Sequence, residues 1–255
     1  MIREFDTPLM KEMRGHRSIR QYKPDRLPAG MVQAIISSAQ MASTSSFLQF
    51  YSVVAVEDVG RKDRLAELCG NQEHIRQCPI FLVFCADVHR LKRVCEREGT
   101  RIQTKHVESF LIATVDAALL AQNVALAAES LGLGIVFIGG IRSRPREVIA
   151  ELELPDLVFP ITGMCLGYPA VDPPRKPRLP LPAVLHCERY QTEEIDTHLD
   201  AYDERIIGLE MFEHLETGEV YGWMARAARR MAYADPERLR VDVGPVLRQQ
   251  GFGLE

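Results

Sequence analysis

Hydrophobic residues recur along the first two thirds of the chain in two patterns, one typical of strands and one typical of helices. Short runs rich in β-branched and aromatic residues predict four strands, in the segments YSVVAV, IFLVFCAD, GLGIVFIGG and VFPITGMCLGYP. Apolar residues three and four apart predict helices at Pro8–Arg14, at Met31–Met41 and in the segments GRKDRLAELCG, which Gly70 ends, and RPREVIAELEL. Helices and strands therefore alternate up to about Tyr168.

The longest apolar signal runs from about Val107 to Leu131 and predicts a helix that ends at Gly132. The segment ESFLIATVDAALLAQNVALAAESLG is apolar on most faces of such a helix. A helix that is apolar all round is buried, either in a core or at a subunit interface. We therefore expect this helix to lie at the centre of the protein.

A proline-rich stretch, Pro169–Pro182, then interrupts the alternation and is expected to be extended rather than helical. Beyond it the density of hydrophobic residues drops, and Ile195–Phe212 and Tyr221–Tyr233 have the pattern of surface helices with charged faces. Neither helix could bury a core by itself. We therefore interpret residues 201–255 as a C-terminal helical arm of the domain formed by residues 1–200.

Composition narrows the class of protein. The chain has 255 residues, of which 46% are hydrophobic, and this length suits one large domain. A net charge of −4 argues against nucleic-acid binding. The N-terminus lacks a signal-peptide core, and no apolar run is expected to span a bilayer, so a cytoplasmic location follows. Without a C-x-x-C pair, the six cysteines indicate neither zinc nor redox chemistry, and Cys85 and Cys165 have the setting of buried structural thiols.

The segment HRSIR, from His16 to Arg20, places one hydroxyl and two guanidinium groups within five residues. If this turn is helical, Arg17 and Arg20 share a face, where their forks suit a phosphate or the edge of an anionic heterocycle. The alternative is a solvated basic turn.

Two further segments offer small polar groups. STSSFLQ, from Ser43 to Gln49, follows a predicted helix, and its hydroxyls suit helix capping or donation to a phosphate or sugar. FIGG, from Phe137 to Gly140, ends a predicted strand, where paired glycines either let a flat ligand approach the backbone or form a plain turn. The dinucleotide fingerprint G-x-G-x-x-G is not met, because Phe137 occupies the position of the third glycine.

The segment RKPRLP places Lys176 and Arg178 two residues apart in a predicted extended stretch, so both point to the same side. They form either an anion clamp or a charged soluble linker. The histidines and carboxylates show no spacing typical of a triad or a metal site. If the protein is an enzyme, its difficult chemistry therefore belongs to a cofactor.

Taken in order, the segments HRSIRQY, ASTSSFLQ, GNQEHI, DAALLAQNVALAAESLGLGIVFIGG, MCLGYPA and KPRLP resemble those of the nitroreductase superfamily. The resemblance is to its branch of oxygen-insensitive NADPH nitroreductases and NADPH-flavin reductases, and it runs from about Gly15 to about Tyr202. It implies an α+β sandwich in which helices wrap a mainly antiparallel sheet. It also implies an obligate homodimer with FMN at its interface, to which the long helix of each copy contributes.

The resemblance assigns the cofactor-binding positions residue by residue. The positions that match the flavin-binding segments are His16, Arg17, Ser18, Arg20, Thr44, Ser45, Ser46, Gln72, Ile138, Gly139, Gly140, Lys176 and Arg178. No residue is assigned a catalytic role, since FMN carries the chemistry, and no metal is implied.

The implied activity is hydride transfer from NADPH or NADH, by a ping-pong scheme, to nitroaromatics, quinones or free flavin. The alternatives are another flavin enzyme of the superfamily (a reductive dehalogenase or an ene-reductase), a flavin-binding protein without turnover, and a structural protein with solvated arginines. Purification colour and turnover on a nitroaromatic discriminate among them.

The choice between NADPH and NADH is expected to depend on the C-terminal arm, residues 201–255. The branch often has a basic loop there, but the segment from His214 to Tyr221 contains Glu216 and Glu219 and no lysine or arginine. Arg226 and Arg230, four residues apart on a predicted helix, are either alternative ligands for the 2′-phosphate of NADPH or part of a solvated face, which is the more common case. We therefore expect a weakened NADPH preference.

Overall fold

The computed structural model describes residues 5–213, 218–232 and 239–255. These residues form two compact units, Met1–Pro174 with Arg240–Glu255, and Arg175–Leu239. The last residues of the chain therefore belong to the first unit. The sequence boundary near residue 200, between a cofactor-binding domain and an arm, stays a prediction.

Four strands form one sheet at the centre of the first unit: β1 (Tyr51–Val56), β2 (Ile80–Asp87), β3 (Gly134–Ile138) and β4 (Val158–Gly167). Their order is β1-β2-β4-β3, and every neighbouring pair is antiparallel. Each strand lies within one of the four apolar segments predicted to be strands. The predicted α+β fold with an antiparallel sheet is confirmed.

Strand β2 lies between two hydrophobic cores. All eight of its residues are buried. Ile80, Leu82 and Phe84 face one core, whereas Phe81 and Val83 face the other. Both faces of this strand are covered by other elements, which explains why its sequence has no polar alternation.

Helices cover both faces of this sheet. Those of the first unit are α1 (Pro8–Gly15), α2 (Met31–Ala39), α3 (Val59–Leu68), α4 (Glu73–Gln77), α5 (His89–Arg97), α6 (Val107–Ser130), α7 (Pro145–Glu151) and α10 (Val243–Gln249). Helices α2 and α6 pack in one core, and α3, α4 and α7 in the other. The second unit contains α8 (Ile195–Gly208) and α9 (Trp223–Ala232). The end predicted for this last helix, Tyr233, lies outside the described residues.

Seven of these helices were predicted, and three, α4, α5 and α10, were not. The sequence of α5, HRLKRVCER, is dominated by charged residues, and α4 and α10 have only five and seven residues. Such segments give little periodic signal, because tertiary contacts rather than their own pattern stabilise them.

Helix α6 is buried on one face only. Ala113, Ala117, Leu120, Val124 and Ala128 are buried along that face. The opposite face exposes Val107, Leu111, Val115 and Leu119, which are 43–53% accessible. The expectation that its apolar surface is entirely buried is therefore not met within one chain, and an apolar stripe is left at the surface.

Among the described residues, α6 is the one helix long and apolar enough to cross a membrane by length and composition, with a mean hydropathy of 1.7. The expectation that no run reaches this length is wrong for α6. Because α6 packs against α2 and β2, we interpret it as the central helix of a core.

Two buried cysteines and one buried lysine complete the second core. Cys85 and Cys165 are buried, as predicted, and burial raises the pKa of Cys85 to about 12, which makes its thiol unreactive at neutral pH. Lys62 is only 5% exposed. Its Nζ donates to the carbonyl oxygen of Cys78 at 2.5 Å and to that of Arg76 at 3.5 Å, so it satisfies carbonyls at the end of α4.

We expect Lys62→Met to lower the free energy of unfolding by roughly 1.5–3 kcal/mol, since it leaves the buried carbonyls without their charged donor. The matched control is Lys92→Met, which removes a more exposed ammonium paired with Asp156 at 2.5 Å. That loss should be clearly smaller, because solvent screens an exposed ion pair. Urea denaturation of both variants measures the difference, and equal losses would contradict a structural role for Lys62.

Candidate functional site

The HRSIR segment is extended in the structure. After α1 ends, Ser18 forms a parallel bridge with Ile135 of β3, and the backbone N–H of Ile19 donates to the carbonyl of Ile135 at 2.8 Å. The expectation that a helical turn places Arg17 and Arg20 on one face is therefore wrong. In extended backbone, side chains three apart point to opposite sides, so Arg17 and Arg20 do not share a face.

Glycine at position 134 allows this attachment. A Cβ built there would overlap the side chain of Ile19, which is buried. The absent side chain lets the segment lie directly against the start of β3. The position of Arg20 beside the sheet thus depends on a close backbone approach that Gly134 makes possible.

His16 and Arg17 each have an acidic partner. The Nδ1 of His16 lies 2.6 Å from Oε1 of Glu129, near the end of α6. Burial raises the pKa of Glu129, and the contact with His16 opposes that rise. Arg17 pairs with Asp172. Arg17, Glu129 and Asp172 line an open groove of about 620 Å³ together with Glu12 and Lys23.

Arg20 occupies a different environment. Its side chain is exposed, and its Nη1 makes a long hydrogen bond of 3.5 Å to the carbonyl of Ser18. Burial lowers the pKa of His74 in α4, and the positive charge of Arg20 lowers it further. Arg20 is therefore close to α4 and retains donors for an anion.

Gln72 and the glycine pair meet at the end of β3. The Nε2 of Gln72 donates to the carbonyl of Cys69 at 2.7 Å. A Cβ built on Gly140 would lie 2.6 Å from that same Nε2 and would overlap the Cys69 carbonyl. Ile138 is buried, and Gly139 begins a short 3₁₀ helix, 139–142. The structure thus brings Gln72, Gly139 and Gly140 together, as expected of one site.

Two arginines that the sequence analysis did not single out adjoin this glycine pair. A Cβ on Gly139 would lie 3.2 Å from Nη2 of Arg240 and 3.7 Å from Nη2 of Arg142. Burial lowers the pKa of Arg142, and the charge of Arg240 lowers it further. Arg142 also donates to the carbonyl of Ile161. Arg240 is about a hundred residues further along the chain, in the part of the tail after Tyr233, for which the sequence predicts no function.

The hydroxyl loop, residues 44–50, is fixed by α6 rather than by β3. Ser45–Phe47 form a 3₁₀ turn, in which Thr44 is the preceding residue. The carboxylate of Asp116 accepts hydrogen bonds from the backbone N–H of Ser45 at 3.0 Å and of Phe50 at 3.2 Å. The loop thus contacts α6 at Asp116, thirteen residues before Glu129. The two residues are about 20 Å apart along the helix axis.

The remaining predicted residues belong to the second unit. Lys176 and Arg178 are exposed in an extended segment, where Nη1 of Arg178 donates to the carbonyl of Lys176 at 2.8 Å. Arg226 lies over the ring of Phe212, 4.6 Å from its centroid. Arg230 is exposed on the same helix, α9.

Of the acidic tail segment, Glu219 is described and Glu216 lies outside the described residues. Within the part of the chain that the structure describes, no group of histidine, cysteine and carboxylate side chains could hold a metal ion.

Comparison with known proteins identifies the family to which the chain belongs. A sequence model of the nitroreductase family matches residues 13–168, and a model of the C-terminal domain of that family matches residues 176–255. The chain belongs to the nitroreductase family, so the resemblance found in the sequence is confirmed.

Similar proteins cover 78–98% of the chain. An NAD(P)H FMN reductase of Bacillus subtilis (strain 168) is 41% identical over 253 residues, which is 97% of this chain and 98% of the relative. An oxygen-insensitive NADPH nitroreductase of Salmonella typhimurium (strain LT2) is 40% identical over 78% of this chain and 81% of its own length. The structure of B. megaterium NfrA2 has a TM-score of 0.92 at 35% identity and covers 98% of this chain and 100% of its own.

The two glycines of this site should differ in their tolerance of a side chain. We expect Gly140→Ala to lower the free energy of unfolding by roughly 1–3 kcal/mol, because its methyl group would meet a backbone carbonyl and displace Gln72. Gly139→Ala is the matched control, since its methyl group would meet only the ends of two flexible arginine side chains. Chemical denaturation measures both, and a larger loss for Gly139→Ala would contradict this description of the site.

Proposed function

We propose that this chain is a cytoplasmic, NAD(P)H-dependent FMN oxidoreductase that reduces nitroaromatics, quinones or free flavin. The observation that carries the proposal is the contact of Gln72 with Gly140 at the end of β3, beside Arg142 and Arg240 at Gly139, in a chain of the nitroreductase family. The names of the relatives, which include FMN reductases and nitroreductases, support the same reaction class.

The residues present fit FMN in their chemistry. Two cationic side chains, Arg142 and Arg240, lie beside Gly139, the charge of Arg20 lowers the pKa of His74 in α4, and Gln72 offers an amide. FMN has a phosphate, which needs cationic donors. Ser18, Ile138, His16, Arg17, Lys176 and Arg178 stay proposed ligands on the strength of their motif positions.

In this mechanism bound FMN supplies the hydride chemistry. The backbone of Gly139 and Gly140 would hold the ring, and the guanidinium of Arg20 would stabilise negative charge on the reduced cofactor. Solvent would supply the protons that the acceptor requires, so no side chain needs to act as an acid or base. Donor and acceptor would bind in turn, which predicts ping-pong kinetics.

The proposed enzyme is a homodimer with FMN at the interface. The exposed stripe of α6 (Val107, Leu111, Val115 and Leu119) provides a continuous apolar face. The hydroxyl loop and the His16 contact lie about 20 Å apart along α6 within one chain. Loops of one copy and strand β3 of the other would complete a site when two such helices pair.

For the nicotinamide, we propose a weakened preference for NADPH over NADH. Arg226 is already packed on Phe212, so Arg230, which is exposed on α9, is the better placed candidate for the 2′-phosphate. Glu219 adds negative charge to the preceding segment.

The function is tested with the purified protein and NADPH under anaerobic conditions. We expect yellow protein whose flavin absorbance is bleached by NADPH and restored by a nitroaromatic or a quinone. Initial rates with both substrates varied should give parallel reciprocal lines. A yellow protein that NADPH does not bleach would indicate flavin binding without turnover, and a colourless protein that ignores added FMN would contradict the proposal.

Two variants extend the same assay. Arg20→Ala should weaken FMN binding about tenfold or more, because a charge-assisted hydrogen bond is worth about 1.5–3 kcal/mol. Arg26→Ala, which removes another exposed arginine, is the control. Comparing kcat/KM for NADPH and NADH in the wild type and in Arg230→Ala tests the donor proposal. An NADPH preference unaffected by Arg230→Ala would exclude that residue.

The dimer is tested by placing a charge in the stripe. Leu119→Glu should give monomer or aggregate and little bound FMN, because pairing would bury an unpaired carboxylate. Val59→Glu places the same charge at another exposed apolar position and should leave the dimer intact. Light scattering after gel filtration gives the masses. A monomeric wild type with FMN bound would refute the interface.

A further inference from the structure

The hydroxyl loop contains an unusual concentration of left-handed backbone. Ser46, Phe47 and Gln49 have φ values of 49°, 59° and 55°. Residues with a side chain avoid this region, so each of the three costs free energy unless neighbouring contacts fix it. A loop with three such residues among seven needs external support to keep one conformation.

Asp116 provides that support from inside the protein. Its side chain is almost fully buried, at 2% exposure, and lies on α6. One carboxylate oxygen accepts from the N–H of Ser45 and the other from the N–H of Phe50. A buried carboxylate is stable only when its oxygens are satisfied, and here both the start and the end of the loop satisfy it.

Arg90 of α5 donates hydrogen bonds to backbone carbonyls at the end of the same loop. Its Nη1 donates to the carbonyl of Gln49 at 3.2 Å, and its Nη2 donates to the carbonyl of Tyr51 at 3.0 Å. The carbonyl of Gln49 and the N–H of Phe50 belong to one peptide unit. Both polar atoms of that unit are therefore bound by an ionised side chain, which fixes the orientation of the loop's last turn.

We propose that Asp116 is a positioning residue for FMN binding: it holds the hydroxyls of Thr44, Ser45 and Ser46 in the geometry that the cofactor requires. This inference rests on the proposed function, in which the loop binds FMN.

The first test is Asp116→Asn, which keeps the shape of the side chain. It replaces one acceptor oxygen with an NH2 group, a donor that faces a backbone N–H. We expect the dissociation constant for FMN to rise about tenfold to a hundredfold, as for loss of a charge-assisted hydrogen bond. The control is Leu247→Ala, a buried truncation in α10, which should lower the melting temperature without removing a hydrogen bond to the loop. If this control weakens FMN binding as much as Asp116→Asn does, the effect is general destabilisation and the proposal fails.

A second pair of variants removes the donor instead of the acceptor. Ser45→Pro deletes the N–H bound by Asp116, and extended backbone at Thr44 (φ −133°, ψ 150°) accommodates a following proline. Ser45→Ala removes the hydroxyl alone. We expect Ser45→Pro to bind FMN more weakly than Ser45→Ala, so the proposal stays testable even if Asp116→Asn folds poorly.

The double variant Asp116→Asn with Ser45→Pro gives the decisive readout. Because both changes remove the same hydrogen bond, their effects on the FMN dissociation constant should be far from additive. Additive losses would overturn the positioning role. If wild-type protein binds no FMN, the proposed function fails; if it binds FMN and Asp116→Asn binds equally well, only the role of Asp116 is refuted.

Discussion

Helix α6 must bury apolar surface on two opposite faces, and one chain provides a partner for only one of them. The sheet and α2 cover the face that contains Ala117 and Leu120, whereas Val115 and Leu119 remain exposed. Alanines along the buried face let the helix approach the sheet closely, which anchors the first core. The rest of the architecture follows from this position, because the hydroxyl loop attaches to the middle of α6, while its last turn leads into β3 and contacts His16.

The candidate site is built from close backbone approaches rather than from reactive side chains. Gly134 lets the HRSIR segment lie against β3, and Gly140 lets the turn after α3 lie against its end. A side chain at either position would push these elements apart. The chemistry belongs to the cofactor, and the protein contributes geometry and charge.

Positive charge is distributed unevenly around this backbone. Arg17 is paired with Asp172, whereas Arg20 lies beside His74 with a single long hydrogen bond to the backbone. Arg142 and Arg240 lie side by side at Gly139, and each disfavours further positive charge nearby. Like charges held close together attract an anion, which agrees with the phosphate of the proposed cofactor.

The sequence by itself determined the strands, the longer helices and the family, because those depend on local periodicity and on motifs read along the chain. The assignment of Gln72, Gly139 and Gly140 to a flavin site came from contiguous motifs and stays a prediction, although Gln72 and Gly140 do lie in contact. Only the tertiary structure decided that HRSIR is extended, because its conformation comes from pairing with Ile135 rather than from its own residues. Asp116 and Arg240 escaped sequence reasoning for the same reason: a buried carboxylate on an apolar helix and an arginine in the tail acquire meaning only from what lies next to them in space.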